Sequence, residues 1–167
     1  MPKEYEKKVR DRCNIYNCNI GLDDVTFSLP QHISLKISFQ CKEYLNAIKI
    51  IENMLSGMGP LAVDVIGINR IPSIIWLTIK ENEKLKSIHD DLDEALLYNL
   101  NIYQHEFDKD FKFHSTLYLD KNEEKLTEIF NLLNEEEFND KLVINSYAIG
   151  VSEDGKPGTF KIIKIIK

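Results

Sequence analysis

The sequence predicts an α+β protein folded as two similar lobes about a pseudo-twofold axis, and three observations predict it. The order strand, helix, strand, strand occurs twice along the chain. The spacing inside the two copies agrees, because 29 residues separate His32 from the next strand start at Leu61 and 28 separate His114 from Leu142. Each copy also opens on a strand in which a histidine is followed two positions later by a hydroxyl residue, His32 with Ser34 and His114 with Thr116. Equivalent strands of such a duplication meet across a central groove.

The elements follow in order. Gln31 to Phe39 alternates like a half-buried strand, with Ile33, Leu35, Ile37 and Phe39 on one face. Lys42 to Leu55 reads as a helix with Tyr44, Leu45, Ile48, Ile51 and Leu55 inward, ended by Gly57-Met58-Gly59-Pro60. Leu61 to Ile68 and Ser73 to Lys80 are strands around an Asn69-Arg70-Ile71-Pro72 turn. A helix over about Asn82 to Tyr98, with Leu85, Ile88, Leu92, Ala95 and Leu96 inward, links the halves. In the second copy Lys112 to Leu119 is a strand and Glu123 to Leu133 a helix with Leu126, Ile129, Phe130 and Leu133 inward. Leu142 to Val151 and Thr159 to Ile166 are strands joined by a loop containing Gly155-Lys156-Pro157-Gly158. Before the first copy, Glu4 to Arg12 reads as a short charged helix and Asp24 to Leu29 as a further strand ended by Pro30. The expected organisation is a single bilobal domain over 1–167, with a first lobe at 24–81, the linking helix at 82–98 and a second lobe at 110–167.

Composition narrows the partners. A chain of 167 residues with 43% hydrophobic content buries one core or two small lobes. Its longest apolar runs fall far short of the roughly 18 residues of a membrane span, and no apolar leader follows the charged start. Three cysteines, Cys13, Cys18 and Cys41, without Cys-x-x-Cys spacing, read as reduced thiols, so a cytoplasmic location is expected. The net charge of -6 and only three arginines argue against a long nucleic-acid track. The basic C-terminus (Lys156, Lys161, Lys164, Lys167) suits a small anion, so the expected partner is a small nucleotide or short oligonucleotide, bound by a monomer.

Successive strand side chains point to opposite faces, so His32 projects with Ser34 and His114 with Thr116. The reverse face of the second run is Phe113, Ser115, Leu117 and Leu119, apolar except for Ser115. Histidine, a side chain whose pKa is ordinarily about 6.5, can serve as either acid or base near neutral pH, so two imidazoles supply a base for the attacking oxygen and an acid for the leaving oxygen of a phosphodiester. Ser34 and Thr116 would donate to the non-bridging oxygens. A lone histidine on a strand is usually structural; a matched pair in duplicated settings points to catalysis. His89, amid Asp90, Asp91 and Asp93, reads as part of a solvated helix face, and His105 as part of a polar connection. The acidic run Asp90 to Glu94 lacks the glycine-bearing loop of a calcium site, and no zinc spacing or phosphate loop occurs, so no metal or cofactor is expected.

The runs His32-Ile33-Ser34-Leu35 and His114-Ser115-Thr116-Leu117 resemble the paired His-x-Ser/Thr-hydrophobic motifs of the 2H phosphoesterase superfamily, which includes LigT-like 2′-5′ RNA ligases and cyclic phosphodiesterases. The resemblance covers about residues 24 to 167, with Ser34 where threonine is commoner. It implies a bilobal α+β fold with antiparallel sheets lining a groove and helices outside, and metal-independent hydrolysis of a small nucleotide phosphodiester. Substrates of the family include 2′,3′-cyclic phosphates, 2′-5′ oligoadenylates and cyclic oligonucleotide signals, and some viral relatives degrade such immune signals. The alternatives are 2′-5′ ligation or processing of RNA ends, and nucleotide binding without turnover.

For base recognition, Trp76 shares a strand face with Ile74, Thr78 and Lys80, and is either a stacking platform or a core tryptophan. Tyr118 shares the alternation of His114 and Thr116 and is a second stacking candidate. Lys36 shares that of His32 and Ser34, and either holds phosphate or is solvated.

Overall fold

The structure is a computed structural model and describes residues 1–21, 30–156 and 159–167. The expected strand at 24–29 and part of the loop at 155–158 lie outside the described residues.

Helix α1 runs Lys3–Ile20, well beyond the short helix expected. Tyr5, Val9 and Cys13 form a buried stripe at four-residue spacing that Tyr16 and Ile20 continue, and the charges between them hide it. Helix α2 is Tyr44–Leu55, and Ala47 and Leu55 are its buried residues, with Ile48, Ile51 and Met54 packed partly against the core. Tyr44 and Leu45, expected inward, are exposed in the first turn. Strands β1 (Leu61–Ile71) and β2 (Ile74–Ile79) pair through a tight turn at Pro72-Ser73, later than expected. Proline presets the first turn position, and Ser73 takes the positive φ of 68° that the second position demands. Gly67, at φ 140°, sits in a bulge of β1.

Helix α3, Glu83–Leu100, is capped by the Asn82 side chain, which accepts from Leu85 N at 2.9 Å, and ends on Asn101 in the left-handed region. A single 3₁₀ turn, Glu106–Asp108, precedes β3 (His114–Leu119). Helix α4, Glu123–Asn134, is capped by Asn122 and buries Leu126, Ile129 and Leu133. The run expected as one strand from Leu142 to Val151 is two, β4 (Asp140–Ile144) and β5 (Tyr147–Val151), and β6 is Lys161–Ile166.

All described ladders are antiparallel. One sheet has the order β3-β2-β1-β4 and the other pairs β5 with β6, so the larger sheet combines strands from both sequence repeats. Helix α4 lies over β1 and β2, α1 packs on α4, and α2 on α3. One connected core joins both sheets to the helices, from Val9 through Val65, Leu77 and Leu117 to Ile149 and Ile166. No helix among the described residues is long and apolar enough to cross a membrane.

Residues 30–43 contain no strand, which corrects the expectation for Gln31 to Phe39. Three backbone polar groups of this segment are met by side chains rather than by a ladder. Gln31 N donates to Glu6 Oε1 (3.2 Å), Ile37 N donates to Asp108 Oδ1 (3.1 Å), and the Leu35 carbonyl faces His89 Nδ1 at 2.8 Å. Ile33, Leu35 and Ile37 still pack against the core, as their alternation requires.

Candidate active site

Strand β3, an outer strand of the larger sheet among the described residues, carries the second motif. His114 and Thr116 are half-buried on one face, while Ser115 and Leu117 on the other are 1% and 0% exposed. The β2–β3 register pairs Thr78 with His114 and Trp76 with Thr116. These four side chains form one patch, opposite Ile75, Leu77 and Ile79, which are buried in the core. The Trp76 and His114 rings lie 5.6 Å apart at a tilt of 54°. Trp76 is therefore a half-exposed neighbour of the second motif rather than a core tryptophan.

The two motif histidines share one local geometry. His32 Nδ1 lies 2.8 Å from the Pro30 carbonyl, and His114 Nδ1 lies 2.6 Å from the Lys112 carbonyl, in each case two residues upstream. A carbonyl only accepts, so Nδ1 carries the hydrogen and Nε2 is left as the working nitrogen. Neutral, Nε2 takes a proton; protonated, it gives one.

The motifs touch through their neighbours. Gln31, 4% exposed, accepts from Ser115 Oγ at 2.7 Å and donates through Nε2 to the Thr116 carbonyl at 2.9 Å. The segment carrying His32 and Ser34 thus starts beside β3. This explains the one hydroxyl on the otherwise apolar face of the second motif. The sequence reading misses Gln31, although the polar Ser115 among Phe113 and Leu117 is its signal.

Two expected substrate contacts are corrected. The Tyr118 side chain is fully buried, and its hydroxyl donates to the Cys13 carbonyl of α1 at 2.7 Å. The register shift between Ile75 and Trp76 breaks the two-residue alternation, so Tyr118 turns to the core and its phenol pKa is raised by burial. The Lys36 ammonium is 2.8 Å from Asp93 Oδ1 and bonded to Asp108 Oδ2, which leaves it no role as a phosphate ligand. Burial pushes the Asp108 carboxyl upward, but the Lys36 ammonium and the backbone N–H groups of Ile37 and His105 outweigh it and hold the group below the usual carboxylate range.

His89 is corrected too. It is 2% exposed, lies flat on Phe111 at 4.5 Å, and its Nε2 is 3.1 Å from the Asp108 carbonyl. His105 is the N-cap of the 3₁₀ turn, its Nδ1 accepting from Phe107 N at 3.3 Å. Among the described residues, the group spaced for a cation is His89, Asp93 and Asp108, whose carboxylates already hold Lys36. All three arginines face carboxylates: Arg10 faces Glu6, Arg12 faces Glu136 and Arg70 faces Glu123. The three cysteines are unpaired.

The family model of the 2′-5′ RNA ligase superfamily matches residues 22–156, which include both motifs. The chain belongs to this superfamily. Members of this 2H phosphoesterase group are phosphoesterases and ligases. The fold of the chain is similar to that of TT0787 of Thermus thermophilus, with a TM-score of 0.62 over 99% of this chain and 92% of that one, at 13% identity. No curated protein matches the sequence. The α+β fold inferred from the repeat is that of the superfamily.

Proposed function

We propose that this 2H phosphoesterase is a metal-independent phosphodiesterase that cleaves a small nucleotide by general acid–base catalysis. His32 and His114 exchange the roles of base and acid through Nε2. One takes the proton of the attacking hydroxyl or water, and the other protonates the leaving oxygen as its bond to phosphorus breaks. Ser34 and Thr116 donate to the non-bridging oxygens as their charge grows. The observation that carries the reading is the matched anchoring of both imidazoles, each Nδ1 on the carbonyl two residues before it. Contact between the motifs through Gln31 supports a single shared site.

A small substrate fits the charge. With every arginine facing a carboxylate and a net charge of -6, little remains to track a long phosphate backbone. Trp76, beside His114, offers a face on which a nucleobase stacks. The substrate class is a 2′,3′-cyclic phosphate, a 2′-5′ oligonucleotide or a cyclic oligonucleotide signal, and removal of such a signal would blunt nucleotide-based immunity.

The test is a panel of 2′,3′-cyclic mononucleotides, 2′-5′ and 3′-5′ dinucleotides and cyclic dinucleotides, each assayed with EDTA. At least one is cleaved, and His32→Ala and His114→Ala each slow that cleavage by about 10²- to 10⁴-fold. Activity that vanishes with chelator and returns with a divalent ion overturns the mechanism. So does unchanged turnover in either variant.

A further inference from the structure

We infer that Gln31 is a positioning residue that sets the first motif against the second, so that both imidazoles address one phosphate. The inference rests on the acid–base reading of the site and adds to it a residue that lies outside both motifs. Among the described residues, 30–43 form no ladder, so His32 is not held as part of a sheet. What fixes the backbone just before it is Gln31. Its main-chain N–H goes to Glu6 of α1, a carboxylate that the Arg10 guanidinium also holds at 3.1 Å. Its side chain then reaches β3 with both ends of the amide, accepting from Ser115 and donating to the Thr116 carbonyl.

The arrangement is specific to the residue type. An amide offers an acceptor and a donor side by side on one carbon, and glutamine carries it one methylene further than asparagine. Aspartate or glutamate would set a carboxylate oxygen against the Thr116 carbonyl, and a hydrophobic residue would leave the buried Ser115 hydroxyl unpaired. Ser115 and Thr116 are themselves the middle residues of the second motif. The bridge therefore ties the residue preceding one histidine to the residues following the other. A displacement of about 1 Å between catalytic groups costs on the order of 10²-fold in rate, so a bonded tie at this point acts on catalysis and not only on folding.

The experiment compares Gln31→Met, which keeps the shape, Ser115→Ala, and the double variant. Two readouts are taken: kcat and KM on whichever substrate the wild type cleaves, and the ring signals of 15N-histidine-labelled protein titrated with inorganic phosphate. In the wild type, His32 and His114 respond to phosphate with one shared dissociation constant. Gln31→Met lowers kcat by about 10- to 100-fold with KM changed less than threefold, and its two rings no longer respond together. Ser115→Ala does the same to a lesser degree, and the double variant is no worse than Gln31→Met, because both substitutions remove one tie. Gln31→Glu, which sets a carboxylate oxygen against the Thr116 carbonyl, does not recover the lost rate. If folded Gln31→Met keeps kcat within twofold and the two rings still respond as one, the inference falls. If Gln31→Met does not fold, Ser115→Ala alone decides by the same two readouts. A wild type that cleaves nothing in the panel overturns the reading of the site instead, and the phosphate titration then still judges the bridge.

Discussion

Asp108 is the point where the first motif is held from its far side, and removing it should cost more than removing its ionic partner. The Asp108 side chain is fully buried, and its carboxylate takes Ile37 N–H at 3.1 Å, His105 N–H at 3.0 Å and the Lys36 ammonium. Asp108→Ala leaves two backbone donors without acceptors and Lys36, 11% exposed, with Asp93 alone. Breaking a buried ion pair from one side costs about 3–5 kcal/mol. For a chain of this size that lowers the thermal midpoint by roughly 6–20 °C. Lys36→Met leaves Asp108 with both backbone donors, and leaves Asp93 with the Gln104 amide at 2.9 Å and His89 at 3.6 Å, so its cost should be about 1–3 kcal/mol. Urea unfolding of the two variants, followed by circular dichroism, measures the difference. The sign of the pH dependence follows from the same geometry. Asp108 is held below its unfolded pKa of about 3.9, so its contribution is complete above that pH and is lost as pH falls through the folded value. Asp108→Asn should therefore flatten the acid limb of the stability curve. A Lys36→Met cost equal to or above that of Asp108→Ala, or an unchanged acid limb, would refute the reasoning.

Two further outcomes separate substrate contacts from core. Trp76→Ala should raise KM by roughly 5- to 150-fold for a nucleotide substrate, since stacking is worth about 1–3 kcal/mol per base, and steady-state kinetics with phosphodiesters of small and large leaving groups would show it. Tyr118→Phe removes the bond to the Cys13 carbonyl, so it should cost about 1 kcal/mol in unfolding experiments and leave KM unchanged; a raised KM would return Tyr118 to the substrate.

How much of this is legible in the sequence depends on whether an element's partners lie near it in the chain. β1, β2, α3 and α4 are readable because their periodicity and asparagine caps are local, as Asn82 and Asn122 show. The motif residues are readable because the duplication repeats them. The segment from Gln31 reads as a strand since its alternation is real, yet its hydrogen-bond partners are Glu6, His89 and Asp108, side chains that no periodicity reveals. His89 is hidden by its acidic neighbours, although Leu85, His89, Leu92 and Leu96 share one helical face. Tyr118 is lost to a register shift, which a two-residue period does not anticipate.

The two histidines end in the same local geometry by different routes, and that difference bears on how the site behaves. His114 inherits its position from the hydrogen-bonded ladder that pairs β3 with β2. His32 is held by side chains at either end of a short irregular segment, with Gln31 on one side and the Lys36, His89 and Asp108 group on the other. A ladder opens only with the sheet, whereas a segment tied at a few side chains opens locally at lower cost. Amide exchange should therefore be faster at 32–37 than across β3, and Asp108→Asn should widen the gap without touching β3. Equal protection in both motifs would mean that the first is held by something other than these ties. What the two repeats share is thus the orientation of each imidazole on its own upstream carbonyl, while the backbone that carries it differs.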